Sequence, residues 1–167
     1  MAEYYQAMTE AQNQYKGKFP VRIGMELGLQ AHLKDRLPGM AAAYPFDFVI
    51  GSSHLVHGMD PYYTEYFEGK EEDKAYREYF ESILENLAAF DCFDVYGHID
   101  YIVRYGPNQN QFYSYGKFAD VIDEILRTII QKGKGIEINT AGFKYGLGHP
   151  HPTEQILKRY QELGGEI

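Results

Sequence analysis

A chain of 167 residues, 44% hydrophobic and 24% charged, fits one globular domain over residues 1–167, long enough for a real core but short for a complete β/α barrel. A formal charge of -8 and a pI near 5.2 leave no basic stripe to neutralise phosphates, which argues against a nucleic-acid partner. The lone Cys92 excludes an internal disulfide and a thiolate metal site, and no apolar run reaches membrane-spanning length.

Met1–Tyr15 lacks the charged, apolar, small-residue order of a signal peptide, so a reduced cytoplasm is the expected location. It reads instead as a helix, with Tyr4, Met8, Ala11 and Tyr15 on one face. Gly17 ends that helix and Pro20 opens a β-branched strand, Val21–Leu27. A weaker helix over Ala31–Tyr44 is interrupted by Leu37-Pro38-Gly39. The apolar run within Phe46–His54 fits a strand buried on both faces.

After an aromatic loop, Glu71–Phe90 is predicted to be a long helix with Tyr76, Phe80, Ile83, Leu84 and Leu87 on its core side. Val95–Val103 reads as the third strand. The strongest helical period runs from Phe118 to Ile130, and Gly133 and Gly135 bracket the turn into a fourth strand, Ile136–Thr140. A Gly/Pro/His loop leads to a last helix near Thr153–Leu163, stopped by Gly164-Gly165, and Glu166-Ile167 resembles the first step of a fifth strand. Sixteen Tyr and no Trp suit a polar cleft or a contact between copies. Strict alternation with helix-length crossovers predicts an α/β fold of parallel β/α repeats. Pattern alone leaves open whether the sheet closes into a barrel.

In parallel β/α folds the chemistry sits at the carboxyl ends of the strands. Successive strands here deliver Glu26 (Ile-Gly-Met-Glu-Leu-Gly), His54 (Ile-Gly-Ser-Ser-His), and His98 with Asp100 (Val-Tyr-Gly-His-Ile-Asp). One such residue is ordinarily a solvated acid or a core histidine. A carboxylate and imidazoles from consecutive strands at one rim form a set suited to Zn²⁺, Mn²⁺ or Fe²⁺. For a phosphate, Arg104 lies a turn beyond His98, and Lys144 follows Asn139-Thr140. His149-Pro150-His151 has a His-X-His spelling, but it lies in the loop after the fourth strand and reads as loop. His32 and His57 read as surface or loop residues.

The segments Gly24–Gly28, Asp47–His54, Tyr96–Asp100 and Ile136–Thr140 occur in an order that resembles the histidinol-phosphatases of the PHP superfamily, and Leu147 to Gly165 looks similar as well. The resemblance covers nearly the whole chain. It implies part of a distorted (β/α)₇, TIM-like barrel with a two- or three-metal cluster, in which Glu26 bridges two metals and His54 and His98 complete the second. It also implies phosphomonoester hydrolysis by a metal-activated water, with histidinol phosphate as substrate, Asn139 among the substrate contacts, and Asp100 holding a ligand imidazole or touching the substrate amine. That family begins with a strand carrying His-X-His and ends with one carrying Asp-X-His, and neither is present here. The expectation is therefore an incomplete PHP domain, weakly active or inactive as it stands, with open sheet edges that favour self-association. A PHP phosphoesterase acting on nucleotides or phosphotyrosine, and a non-catalytic scaffold binding one metal or none, are the alternatives.

Overall fold

In the computed structural model, which describes residues Met1–Ile167, four parallel strands stand side by side in chain order. They are β1 (Gly24–Gly28), β2 (Phe48–Ser52), β3 (Val95–Tyr96) and β4 (Gly135–Ile136). The register sets Glu26 beside Ile50 and Gly28 beside Ser52, then Gly51 beside Tyr96 and Tyr96 beside Ile136. Helices α1 (Ala2–Tyr15), α2 (Leu37–Ala42), α3 (Glu72–Ala89), α4 (Ala119–Gln131), α5 (Ala141–Lys144) and α6 (Glu154–Glu162) fill the connections. The alternation is the one the sequence predicts, because each strand must be covered by the crossover that follows it.

One cluster of buried residues forms the core. Phe80, Ile83 and Leu87 of α3 meet Ile122, Ile125 and Ile129 of α4 over the back of the sheet, at intervals of three and four that put each set on one helix face. Burial of each such side chain is worth about 1.5–3 kcal/mol. Five tyrosines, Tyr66, Tyr76, Tyr79, Tyr96 and Tyr160, are fully buried, so much of the tyrosine content serves the core and not a cleft. Their hydroxyls are satisfied: Tyr66 donates to Ala75 O, Tyr79 to Ser53 O and Tyr160 to Lys134 O.

Several elements differ from the sequence expectation. The third strand ends at Tyr96; Tyr101–Arg104 is a 3₁₀ turn, although Ile99, Tyr101, Ile102 and Val103 are all buried. A fully buried turn gives the same apolar run as a buried strand, so period alone does not separate them. The fourth strand is likewise two residues long, and Asn139 then pairs antiparallel with His151. Pro38 lies in the first turn of α2 and starts a helix that it was expected to interrupt, its missing N–H costing nothing there. The apolar run of β2 is not buried on both faces: Val49 faces the helices, but Phe48 is 43% exposed on the opposite face. Helix α1 has no buried residue; Tyr4 Oη donates to Gly24 O at 2.6 Å and Tyr5 stacks on Tyr44. Glu166 and Ile167 form no strand.

Candidate metal centre

Just beyond the carboxyl ends of β1, β2 and β3, three side chains meet. Glu26 lies in β1, His54 two residues past β2, and His98 two residues past β3. The Nε2 atoms of His54 and His98 are 2.8 Å apart, and Glu26 Oε1 is 3.3 Å from the first and 3.7 Å from the second. Donors around a tetrahedral zinc ion at ordinary bond lengths stand roughly 3.3 Å from one another. Two imidazoles and a carboxylate at these separations fit such an ion with small adjustments, and their ligand atoms all lie within 4.8 Å of one another. The structure thus brings together the three residues that the strand-end reading grouped.

The serines before His54 explain how the group is held. Ser52 Oγ donates to Glu26 Oε1 at 2.7 Å, an arrangement fixed by the Gly28–Ser52 register. Ser53 Oγ shares a 2.6 Å hydrogen bond with Tyr96 Oη and accepts one from Asn86 Nδ2 at 2.7 Å, while Tyr79 Oη donates to Ser53 O at 2.9 Å. A buried, fully paired network of this kind sets the turn that aims His54. Sequence reading placed Ser52 only within the Ile-Gly-Ser-Ser-His segment, without a role, and missed Tyr79 and Asn86, which carry no local signal of a site.

His98 is 6% exposed and adopts a left-handed backbone, φ 28°. Burial pushes its pKa down to about 3, and the charges of His54, Arg104 and His151 push the same way. The ring is therefore neutral at pH 7, the form in which imidazole can coordinate a metal without first losing a proton.

The other expected site residues have distinct places. Asp100 is fully buried and both its oxygens are taken: Oδ1 by His151 Nδ1 at 2.5 Å, Oδ2 by the Thr153 N–H at 2.9 Å. The imidazole it holds is thus that of His151, and not that of a member of the donor triad. His151 is itself fully buried, and the Nε2 atoms of both His149 and His151 are buried without a partner, while His149 Nδ1 contacts Pro150 O. Arg104 is 9% exposed, with its guanidinium carbon 4.8 Å from the ring centroids of Tyr101 and Tyr145, and its Nε and Nη2 are buried without a partner. Asn139 Oδ1 accepts the Ala141 N–H, and its Nδ2 lies 3.5 Å from both oxygens of Glu137. Lys144 and His57 are exposed, His57 lining a separate cleft with Gln30 and Glu85.

Against known proteins, the model of the PHP domain family matches residues 1–141. The chain belongs to the PHP domain family. Over 172 aligned residues it is 32% identical to a histidinol-phosphatase of Lactococcus lactis subsp. lactis, covering 100% of this chain and 62% of that one. A "Probable histidinol-phosphatase" of Clostridium acetobutylicum is 33% identical over 158 residues, 93% of this chain and 60% of the relative. This PHP chain thus spans about three fifths of the length of the curated relatives it matches. Its fold superposes on the crystal structure of histidinol phosphate phosphatase from Lactococcus lactis, complexed with zinc, L-histidinol and phosphate, with a TM-score of 0.90 at 30% identity, over 99% of this chain and 63% of that one. No helix is long and apolar enough to cross a membrane.

Proposed function

We propose that this chain carries the second-metal half of a histidinol-phosphatase site, in a protein that hydrolyses the phosphomonoester of histidinol phosphate. The observation that carries the reading is the spacing of Glu26 Oε1, His54 Nε2 and His98 Nε2, which suits one tetrahedral ion. Zinc is the first choice, because two imidazoles and one carboxylate match it and a solved relative is described with zinc; manganese or iron would suit the same donors. Bound there, the ion would acidify a water and draw charge from a phosphoryl oxygen.

The chain's own residues supply the rest. Arg104 is a buried guanidinium with no carboxylate partner, its carbon 4.8 Å from the ring centroids of both Tyr101 and Tyr145, and a phosphate is the anion its planar fork fits. Lys144 adds exposed positive charge on the segment after β4, and Asn139 shapes that segment through its bonds to Ala141 and Glu137. Asp100 acts through His151, keeping the return loop against the metal site. Glu26 alone joins the triad from β1, so a role as bridge to a second ion is consistent with its 46% side-chain exposure. A cytoplasmic location accords with an unpaired Cys92.

The test is calorimetric titration. Zinc is expected to bind with a stoichiometry near one, and phosphate is expected to bind the zinc-loaded chain. Displacement of phosphate by histidinol phosphate at lower concentration than by a nucleoside monophosphate supports the assignment. The opposite preference points to a nucleotide-directed PHP enzyme, and no zinc binding at all removes the metal reading.

A further inference from the structure

Glu137 follows β4 and its N–H continues the sheet ladder to Tyr96 O at 3.0 Å, which swings its side chain behind His98. Its Oε2 accepts the His98 backbone N–H at 3.1 Å and stands 3.6 Å from His98 Nδ1. No lysine or arginine pairs with this carboxylate; its remaining neighbour is Asn139 Nδ2, at 3.5 Å. The side chain is only 25% exposed. A partly buried acid is normally matched with a cation or several donors, so a carboxylate spent on one histidine needs a reason.

The surroundings are shaped for that contact. A Cβ at Gly97 would come within 3.2 Å of Glu137 Oε2 and 3.0 Å of Ile50 Cγ2, so a side chain there would crowd the carboxylate and glycine leaves it room beside the ring. The left-handed φ of His98 is unfavourable for a residue with a side chain, and the Glu137 bond to its N–H compensates part of that strain. His98 is thereby lodged between two carboxylates, Glu137 on its Nδ1 side and Glu26 on its Nε2 side.

The consequence concerns the ring proton. The 2.8 Å contact between the two Nε2 atoms requires one of them to carry hydrogen, whereas metal coordination by both requires two bare lone pairs. His98 meets that requirement only when its proton sits on Nδ1, where Glu137 Oε2 becomes a hydrogen-bond acceptor after an approach of less than about 1 Å. We propose that Glu137 is the positioning residue that selects the Nδ1–H tautomer of His98 and so presents Nε2 to the metal. This inference rests on the reading of Glu26, His54 and His98 as a metal site.

The experiment compares the intact chain with Glu137→Ala and Glu137→Gln. Zinc affinity, measured by competition with a chromogenic chelator, is expected to fall about 10- to 100-fold in Glu137→Ala, the range typical of lost outer-shell partners, and less in Glu137→Gln, whose amide oxygen can still accept from Nδ1–H. Stoichiometry should be retained, and the melting temperature should fall only modestly, through the lost hydrogen bond to the His98 N–H. Nitrogen-15 spectra of the His98 ring give the second readout. Zinc-loaded wild type should show a protonated Nδ1, and in the metal-free chain Glu137→Ala should move the tautomer population towards Nε2–H, a change that a merely structural role would not produce. Zinc affinity within about twofold of wild type in Glu137→Ala overturns the proposal, as does an unchanged tautomer population. If wild type binds no zinc, the metal reading fails, while the metal-free tautomer comparison still decides the role of Glu137.

Discussion

Asp100 and His151 are 51 positions apart in the chain and meet through a 2.5 Å contact between Oδ1 and Nδ1, with neither side chain exposed to solvent. The contact fastens the loop after α5 to the end of β3, and the paired hydrogen bonds between Asn139 and His151 fasten the same loop to the segment after β4. His151→Ala would leave the Asp100 carboxylate buried with one remaining donor, the Thr153 N–H. Removing one partner of a buried pair costs roughly 3–5 kcal/mol, which for a chain of this size lowers the melting temperature by about 10 °C. Asp100→Asn keeps one acceptor and should cost less. Thermal melts of both variants check the order, and equal losses would mean that a neutral acceptor is not enough and the carboxylate charge carries the contact.

What the sequence made legible followed from topology. Parallel β/α repeats bring residues just past successive strands onto one rim, so Glu26, His54 and His98 could be grouped without coordinates. The partners of those residues were hidden because they come from pairings far apart in the chain. Asn86 reaches Ser53 from α3, and Glu137 reaches His98 from the next strand, inside a run that read simply as strand. His149-Pro150-His151 reads as loop, yet His151 within it is a fully buried anchor on Asp100. The third strand is shorter than its pattern for a related reason: Ile99, Tyr101, Ile102 and Val103 are apolar because every side of that turn is buried.

Zinc affinity should separate the histidines. His54→Ala and His98→Ala each remove one of three donors and are expected to abolish binding in the micromolar range, whereas His149→Ala should leave it nearly unchanged. Competition titration with a metal indicator gives the ranking, and a larger loss in His149→Ala would move the site to that loop. Three donors serve one well-bound ion, so hydrolysis of histidinol phosphate by the 167-residue chain is expected to be slow, below an order of magnitude of 1 s⁻¹. Faster turnover would show that the ligand map omits residues.

Acid should weaken the clamp between α4 and α6. The hydrogen bonds from Arg159 hold the Asp123 carboxyl below its ordinary range, and the 2.5 Å bond from Tyr115 Oη adds to this. A carboxylate with a folded pKa depressed below its unfolded value stabilises the fold above the unfolded value, near 3.9, and loses that contribution as pH falls through the folded one. Asp123→Asn should therefore melt lower than wild type at pH 7, and the gap should narrow below about pH 4. A gap that is constant from pH 7 to pH 3 would mean that the charge on Asp123 does not carry the clamp.

Self-association is the expected behaviour of the sheet itself. Both outer strands, β1 and β4, have one unpaired edge, and Phe48 leaves 43% of its surface open on the face opposite the helices. A second copy can cover that face by burying Phe48 and Ile50 against their equivalents, and apolar area removed from water favours the pair by about 25 cal/mol per Å². Two short edges contribute less, because β4 offers only Gly135 and Ile136 and the Tyr4 hydroxyl already caps Gly24 O in β1. The face and not the edge should therefore dominate. Sedimentation over a tenfold concentration range is expected to show mass rising with concentration for wild type, and Phe48→Gln should shift the chain towards monomer without lowering its melting temperature, since that side chain is poorly buried at the start. A wild type that stays monomeric across the range would show that the open face is stable in water. Association that persists unchanged in Phe48→Gln would transfer the contact from the face to the edge.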